Sequence, residues 1–389
     1  MALMIDWEIC FLGRFGRELS LAERMGHRMD GKVKKVGRGT SLDPHNRFES
    51  ISKEADWEHL EHDEAIASGI PQKVPTEYFA DATQSLITKN NSPDIPFTYS
   101  LNPYRGCAHG CSYCYARPYH EYLGFSSGLD FETKIMVKQE APRLFREFLK
   151  KRSWKCEVIA MSGVTDCYQP AERQFEVTRG CLEVALEARQ PLGIITKNAL
   201  ILRDIDLLSE MAKRNLVCAN ISITSLDQKL TSKMEPRTSS PEARLNAIEK
   251  LTAAGIPVNV MTAPIIPGLN DAEIPAILEA VAERGAIGAG YTLLRLPHAV
   301  KEIFTNWLEE HLPEHAERVR SRIEACHGGQ LYDSTWGSRM RGQGMIAETI
   351  AKSFAIFQQK YGLTQRRVSL DTTGFRGPGQ NGKAQLRMF

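Results

Sequence analysis

The order of apolar runs along this chain constrains its fold more than any other feature of the sequence. From residue 97 onward, a short apolar run is followed by a stretch with helical spacing, and this order occurs six times. Strands that alternate with helices indicate a parallel sheet with helices packed on its faces. Strands that are buried on both faces are almost continuously apolar. The six runs are "FTYSLN", "CEVIAMSG", "LGIITK", "VCANISIT", "VNVMTAP" and "AGYTLLRLP".

These six units contain no glycine-rich dinucleotide-binding motif, which favours a curled sheet over a doubly wound one. We therefore predict an α/β protein whose central part, residues 95–312, is a partial (β/α)6 barrel. In barrels of this kind the chemistry takes place at the carboxyl ends of the strands. Residues on the loops that follow the strands are thus the first candidates for a functional site.

The segments on either side of the predicted barrel differ from it in composition. Residues 1–94 are weakly patterned and are predicted to be an N-terminal extension, partly disordered. The "GRG" at 37–39 is not expected to bind phosphate, because no strand precedes it and no long helix follows. Residues 313–363 are expected to be helix and loop packed on the barrel. Residues 364–389 are polar, rich in Gly and Arg and without periodicity, which predicts a flexible tail.

Composition sets limits on the location and the partners of the protein. No apolar stretch is long enough to cross a bilayer, and the first residues lack the apolar core of a signal peptide. We therefore expect a cytoplasmic protein without membrane contact. The net charge of +2, from 49 basic and 47 acidic residues, leaves a nucleic-acid partner open. In a reducing compartment, nine cysteines favour ligand or catalytic roles over disulfides.

Three cysteines lie close together on the loop after the first predicted strand, at Cys107, Cys111 and Cys114. Thiolates suit iron–sulfur clusters and zinc. A [4Fe–4S] cluster normally takes four cysteines, so three ligands would leave one iron open for chemistry. The alternative is structural zinc with His109 or His120 as the fourth ligand. No second C-x2-C or H-x3-H pair follows, and the iron–sulfur interpretation is favoured.

The stretch "CAHGCSYC", with the aromatic Tyr113 before its last cysteine, resembles the motif of the radical S-adenosylmethionine (radical SAM) superfamily. The resemblance covers residues 98–312. It implies a [4Fe–4S] cluster whose free iron is chelated by S-adenosylmethionine. One electron then cleaves this cofactor to methionine and a 5′-deoxyadenosyl radical, which abstracts a hydrogen atom from the substrate. The resemblance also implies a reductant such as flavodoxin or ferredoxin.

Within the superfamily, the chain most resembles the spore photoproduct lyase group and the uncharacterised bacterial radical SAM proteins called "DNA repair photolyase". The similar segments are "YCYAR", "IITKNA", "APIIPG" and the region of the fourth strand. The resemblance implies that Lys197 meets the cofactor carboxylate and that Ser222 contacts the cofactor. Both residues end an apolar run, where a strand reaches the barrel mouth, and a lysine there can pair with a carboxylate. Thr224 lies on the same face as Ser222 and is an alternative.

The turn after the second predicted strand, "MSGVTDCYQPAE", is expected to carry further cofactor contacts. The resemblance implies these at Ser162 and Gly163, with Asp166 as a polar candidate beside them. In spore photoproduct lyase a hydrogen-donating cysteine occupies the position that aligns with Gly163, so this chain departs from that enzyme. Cys167 either takes the donor role or packs as a small apolar residue. Tyr115 is the second catalytic candidate, in addition to Cys167.

The last residues, "QLRMF", resemble the short motif with which bacterial proteins dock on the DNA sliding clamp. A terminal apolar motif on a polar tether suits binding to a preformed groove. We therefore predict a radical SAM enzyme that acts on damaged or modified DNA. A tRNA, a peptide or a metabolite is the alternative substrate, and a non-catalytic iron–sulfur or zinc protein that binds nucleic acid is the alternative class. The predicted clamp contacts are Gln385, Leu386, Met388 and Phe389.

Overall fold

A computed structural model of the chain describes residues 35–49, 73–364 and 368–378. Within these ranges the chain forms two sheets. The strands are β1 (Glu77–Ala80), β2 (Ile87–Lys89), β3 (Tyr99–Leu101), β4 (Tyr104–Arg105), β5 (Lys134–Val137), β6 (Ile159–Met161), β7 (Leu192–Thr196), β8 (Val217–Ser222), β9 (Val258–Ile265) and β10 (Gly288–Leu293).

Helices connect the strands and cover the outer face of the larger sheet. Short 3-10 helices occupy residues 117–123, 199–204 and 271–273. The α-helices are α1 (Leu129–Thr133), α2 (Ala141–Leu149), α3 (Glu172–Phe175), α4 (Val177–Ala188), α5 (Ile205–Ala212), α6 (Gln228–Met234), α7 (Pro241–Ala253), α8 (Ile274–Glu283), α9 (Val300–His311), α10 (Pro313–Cys326), α11 (Ser338–Arg341) and α12 (Gly344–Lys360).

The larger sheet of the described chain has the strand order β10-β9-β8-β7-β6-β3-β2. From β3 to β10, each neighbouring pair is parallel. The short β2 adds to the β3 edge in the antiparallel direction, with Ile87 opposite Leu101. This confirms the α/β fold class and the partial barrel of six parallel strands. The smaller sheet has the order β1-β5-β4.

The strands of the barrel are apolar because both of their faces are covered. Ile159, Ile194, Val217 and Val258 have no exposed surface and belong to one buried apolar cluster with the facing helices. Such strands need no polar face, which explains why their sequences lack an alternating pattern.

Local signals explain where the helices begin and end. The hydroxyl of Ser240 accepts a hydrogen bond from the amide of Ala243 at 3.2 Å, and Pro241 takes the first position of α7. The chain leaves α7 through Gly255 and α8 through Gly285, with φ of 77° and 84°. This left-handed region is open to glycine at little cost, so the chain can turn back toward the next strand.

The N-terminal extension contributes to the cysteine loop, which its weak sequence pattern did not predict. Arg38 and Thr40 are buried, and Arg38 donates a hydrogen bond to the carbonyl oxygen of Glu132 at 3.0 Å. A side chain at Gly39 would collide with the backbone of Gly110 in the cysteine loop. The "GRG" segment therefore serves close packing, since only a glycine lets the two backbones approach this far.

Residues 368–378, at the start of the predicted flexible tail, form backbone hydrogen bonds with the barrel. The amide of Asp371 donates to the carbonyl oxygen of Asn215 at 2.8 Å, and the amide of Arg376 donates to that of Ala188 at 2.8 Å. Phe375 packs against the main core. These backbone contacts to loops at the ends of α5 and α4 have no signature in local composition. The predicted clamp motif at the end of the chain lies outside the described residues.

The segment 313–363 contains α10, α11 and α12. Ile350 and Phe354 of α12 are buried against the barrel, and the ring of Phe354 lies 4.7 Å from that of Tyr291 on β10. Across the described ranges, none of the helices has the length and apolar character that crossing a membrane requires.

Candidate functional site

The cysteine loop, which carries Cys107, Cys111 and Cys114, lies at the carboxyl edge of β3. The short strand β4 separates the loop from β3 in the chain. After β3 the chain passes through β4, which pairs with β5 in the small sheet, and then reaches Cys107. Cys107 and Cys111 are each 7% exposed, and Cys114 is half-buried. Cys114 packs against one apolar cluster that contains Cys107 and against a second that contains Cys111 and Tyr113. The fold thus brings all three predicted ligands together.

Burial sets the protonation of these thiols when no metal is bound. It raises the pKa of all three, and the Asp166 carboxylate and the two other thiols raise that of Cys107 further. The positive charge of Lys197 acts in the opposite direction on Cys111 and Cys114. A metal ion or an iron–sulfur cluster that binds these thiols as thiolates must therefore displace their protons.

Across the described ranges, no three His, Cys, Asp or Glu side chains are placed to ligate one metal ion. Of the two histidines of the zinc alternative, His109 lies on the cysteine loop itself, and His120 lies on the 3-10 helix that follows the loop.

His109 joins the cysteine loop to the ends of two barrel strands. Its Nδ1 lies 3.4 Å from a carboxylate oxygen of Asp166, and its Nε2 lies 3.1 Å from the side-chain nitrogen of Asn198. Asp166 follows β6 and Asn198 follows β7. The ring is 1% exposed, so both contacts are shielded from water. His109 thus links the cysteine loop to the turns after β6 and β7.

Asp166 is the centre of the turn network at the barrel mouth. Its carboxylate accepts hydrogen bonds from the Lys197 amide at 2.8 Å and from the Thr196 hydroxyl at 2.7 Å. Burial acts to raise its pKa, but the charge and hydrogen bond of His109 and the bonds from Lys197 and Thr196 hold the pKa below its usual value. Asp166 therefore stays ionised and fixes the start of the Lys197 segment.

Lys197 extends from the end of β7 toward the cysteine loop. Its ammonium nitrogen lies 5.9 Å from the centre of the Tyr113 ring, within range of a cation–π contact. It is half-buried, and its charge helps to lower the pKa of Glu235. The predicted cofactor lysine and the predicted aromatic residue of the motif are thus neighbours.

A buried charged network that the sequence did not predict lies behind these residues. Glu235 accepts hydrogen bonds from the hydroxyls of Tyr113 and Thr224 and forms an ion pair with Arg244. Arg244 also donates to the carbonyl oxygen of Ser222 at 3.0 Å. Because the Thr224 hydroxyl is engaged by Glu235, Ser222 is the better cofactor candidate of the two. The only local signal was a lone glutamate after a short helix, which is common on any surface.

A second buried pair supports the cysteine loop from the other side. The Arg117 guanidinium donates to the carbonyl oxygen of Cys111 through Nε at 3.0 Å and Nη2 at 2.9 Å. Nη2 also lies 2.5 Å from a carboxylate oxygen of Glu132, which in turn accepts from the Gly39 amide at 2.9 Å. Both side chains have no exposed surface. The loop is thereby tied to α1 and to the N-terminal extension.

The turn after β6 is strained at its first residue. Ser162 has φ of 79°, a region that side chains rarely adopt, and its hydroxyl accepts from the Cys167 amide at 2.9 Å. The hydroxyl of Tyr115 donates to the carbonyl oxygen of Gly163, and the Arg295 guanidinium lies 5.1 Å over the Tyr115 ring. Tyr115 thus spans the mouth from the second strand turn to the loop after β10.

Cys167 does not lie at the surface of the mouth. Its side chain has no exposed area and belongs to the main apolar core with Tyr104 and Cys181. Burial and the nearby Asp166 carboxylate raise its thiol pKa well above the usual value. This burial fits the packing alternative, and the hydrogen-donor role of Cys167 stays a prediction. The sequence distance from β6 could not show that the turn points this residue inward.

Comparison with known proteins agrees with this geometry. The model of the Radical SAM superfamily matches residues 101–281. An uncharacterized protein of Mycobacterium tuberculosis is 37% identical over 264 residues, which cover 67% of this chain and 76% of that protein. An uncharacterized protein of Methanocaldococcus jannaschii is 30% identical over 224 residues, which cover 58% of this chain and 80% of that protein.

Solved structures of spore photoproduct lyase share the fold. The enzyme complexed with dinucleoside spore photoproduct has a TM-score of 0.53 and 14% identity, covering 78% of this chain and 91% of that chain. A variant with bound AdoMet and dinucleoside spore photoproduct has a TM-score of 0.52 and 15% identity, with the same coverage. At these identities the likeness concerns the fold alone.

A partial (β/α)6 barrel with three cysteines on its first loop defines the class of enzymes that generate radicals with an iron–sulfur cluster. The chain belongs to the radical SAM superfamily, and it shares the fold of spore photoproduct lyase. The predicted family and the prediction of a radical SAM enzyme are confirmed. Members of this superfamily use S-adenosylmethionine, a [4Fe–4S] cluster and a reductant.

Proposed function

We propose that this radical SAM enzyme holds its [4Fe–4S] cluster on Cys107, Cys111 and Cys114 and acts on damaged or modified DNA. The observation that carries the proposal is the convergence of these three thiols with Lys197 at the carboxyl edge of the barrel. When bound, the cluster supplies the electron that cleaves S-adenosylmethionine to methionine and a 5′-deoxyadenosyl radical.

Several residues at the barrel mouth are proposed to contact different parts of the cofactor. Lys197 pairs with the cofactor carboxylate, because its ammonium group extends into the mouth and its backbone is fixed by Asp166. The strained turn at Ser162 and Gly163 offers its backbone to the methionyl amino group. Ser222 supplies a hydroxyl from the end of β8. Tyr113, whose ring centre lies 5.9 Å from the Lys197 ammonium nitrogen, is proposed to shield the cofactor site from water.

Tyr115 is proposed to act on the substrate side of the same mouth. Its ring is 42% exposed, and it is held between Gly163 and Arg295. A phenol in this place lies next to the proposed cofactor contacts and within reach of a bound substrate. This makes Tyr115 the remaining catalytic candidate, since Cys167 is buried in the core.

Anaerobic reconstitution tests the cluster. Full-length protein is reconstituted with iron and sulfide, reduced with dithionite and assayed for iron content and for 5′-deoxyadenosine. Cys107→Ala should lose cluster iron and 5′-deoxyadenosine, whereas Cys156→Ala should keep both. Cys156 is a matched control, because its thiol lies near Gln190, away from the cysteine loop. Normal cluster iron in Cys107→Ala, or its loss only in Cys156→Ala, would contradict the assignment.

The DNA substrate is supported by the likeness of the fold to spore photoproduct lyase. One structurally similar protein, spore photoproduct lyase, carries a dinucleoside lesion in its complex. The test offers ultraviolet-damaged DNA, undamaged DNA and tRNA to the reconstituted enzyme and measures 5′-deoxyadenosine above the substrate-free rate. Stimulation by damaged DNA alone supports the proposal. Stimulation by tRNA alone, or by none of the nucleic acids, moves the function to the alternative substrates, a tRNA, a peptide or a metabolite.

The proposal includes a cytoplasmic location with flavodoxin or ferredoxin as reductant, since a reduced thiolate site requires a reducing compartment.

The proposal also includes docking on the DNA sliding clamp through "QLRMF". The support for this docking is the sequence pattern. A peptide of residues 377–389 should bind purified clamp with micromolar affinity, and Phe389→Ala should remove most of the binding. Absence of binding at high micromolar clamp would end this part of the proposal.

A further inference from the structure

A half-open cavity of about 270 Å³ lies on the outer side of the cysteine loop. Its walls come from β4 and Gly106, from the 3-10 helix after the loop, from α1, and from the residue that follows β5. The volume is close to the lower end of the range for small-molecule sites, about 300 Å³. Gly106 precedes the first cysteine, so the cavity adjoins the proposed cluster site without sharing its ligands.

A buried lysine lines this cavity. Lys138 is 8% exposed. Burial lowers its pKa to about 8, the charge of Arg105 acts in the same direction, and the Asp81 carboxylate acts against it. Asp81 is itself paired with Arg105 at 2.8 Å, so Lys138 shares this carboxylate with a second cation. A buried cation that is only partly compensated destabilises a fold unless an anion joins it.

A buried histidine forms part of the cavity wall. His120 is 1% exposed, and its two ring nitrogens have almost no accessible surface. The ring is held between Phe125, at 5.2 Å with the rings stacked, and Phe131, at 5.7 Å edge-on. The imidazole therefore shapes the wall and does not offer a hydrogen-bonding atom to the cavity.

Aromatic rings stand at the opening of the cavity. Tyr119 and Tyr122 are 54% and 66% exposed, and their ring centres are 6.4 Å apart. Phe48 lies 4.8 Å from Tyr122, and the Arg47 guanidinium lies 4.7 Å over Phe48. Exposed aromatic rings beside cations are the surfaces on which nucleobases stack.

We propose that this cavity binds the phosphate group of a nucleotide, with Lys138 as its cation and Tyr119 and Tyr122 as a stacking surface for the base. A phosphate supplies the negative charge that Asp81, shared with Arg105, provides only in part. The aromatic rim favours a nucleotide over a simple carboxylate. The inference goes beyond the radical chemistry, because none of these residues holds the cluster or the cofactor. The nucleotide is part of a nucleic acid strand or a free molecule.

Binding by full-length reconstituted enzyme tests this site. The probes are inorganic phosphate, thymidine 5′-monophosphate and a short single-stranded DNA oligonucleotide, titrated by calorimetry or fluorescence. Lys138→Met, which keeps the length of the side chain and removes its charge, should weaken binding of the phosphate-bearing probes about tenfold. The matched control is Lys250→Met, an exposed lysine on α7, which should change binding less than twofold.

A second variant keeps the test independent of folding at Lys138. Tyr122→Ala changes an exposed ring, and it should weaken thymidine 5′-monophosphate at least fivefold while leaving inorganic phosphate unchanged. Comparable binding of the mononucleotide and the oligonucleotide identifies a free nucleotide, and binding of the oligonucleotide alone identifies a strand. Equal affinities in Lys138→Met and Lys250→Met, or no effect of Tyr122→Ala, would overturn the inference.

Cofactor cleavage measured on the same samples separates this inference from the proposed function. Cleavage without Lys138-dependent binding defeats the cavity proposal alone. Lys138-dependent binding in a protein that forms no 5′-deoxyadenosine defeats the proposed radical function and leaves the nucleotide site standing.

Discussion

Replacing Arg117 by methionine tests whether the cysteine loop depends on the buried pair beneath it. The guanidinium binds the Cys111 carbonyl oxygen twice, the Gly128 carbonyl oxygen at 2.9 Å and the Glu132 carboxylate at 2.5 Å. Arg117→Met leaves Glu132 charged and without its cation in the interior. Removal of one partner from such a pair typically lowers the free energy of unfolding by about 3–5 kcal/mol.

The pH dependence of this loss is a sharper signature than its size. In the native protein burial raises the pKa of Glu132, and the charge and hydrogen bond of Arg117 oppose the rise. Without Arg117 the opposition weakens, so the pKa of Glu132 in the folded state climbs further above its unfolded value. A carboxyl with a raised folded pKa favours folding at low pH, and that contribution is lost as pH rises. The destabilisation by Arg117→Met should therefore shrink on acidification from neutral pH.

Denaturant unfolding of the protein without metal measures both effects, and iron content after reconstitution shows whether the loop still holds a cluster. The control is the double variant Arg117→Met with Glu132→Leu, which removes both charges and should recover most of the lost stability, because a buried pair replaced by apolar residues is often neutral. An Arg117→Met protein as stable as the native one, or a double variant as unstable as the single one, would refute the reasoning.

Further predictions concern the barrel mouth. Lys197→Ala should weaken S-adenosylmethionine binding ten- to a hundredfold, since a charge-assisted contact contributes about 1.5–3 kcal/mol; unchanged affinity with an intact cluster would exclude Lys197. Asp166→Asn should lower the unfolding midpoint at neutral pH, and the midpoint of the variant should decrease less on acidification than that of the native protein. The reason is that the depressed pKa of Asp166 stabilises the folded state at neutral pH, and this stabilisation is lost as the pH falls through the pKa of the folded state. Cys167→Ala should leave coupling of cofactor cleavage to product intact, and uncoupled cleavage would restore the donor role. Glu235→Gln should lower stability by about 3 kcal/mol by leaving Arg244 unpaired, as seen in denaturant unfolding.

The sequence by itself determined the architecture and the place of the three clustered cysteines. Apolar runs alternating with helical patterns report on hydrogen bonding and burial within a few residues, so the parallel barrel followed directly from them. The spacing of Cys107, Cys111 and Cys114 is likewise local, and so is the position of Lys197 at the end of an apolar run. Where the contacts that fix a structural feature lie within one strand, helix or loop, the sequence is sufficient to predict that feature.

Only the tertiary structure decided which distant residues support the site. His109 meets Asp166 and Asn198, Tyr113 meets Glu235, and the extension at Gly39 meets the cysteine loop, across separations that local pattern does not encode. The inward direction of Cys167 depends on a turn whose first residue has a left-handed backbone. These contacts arise because parallel strands bring the ends of separate chain segments to one edge, and their pairing depends on strand order, turn geometry and packing together.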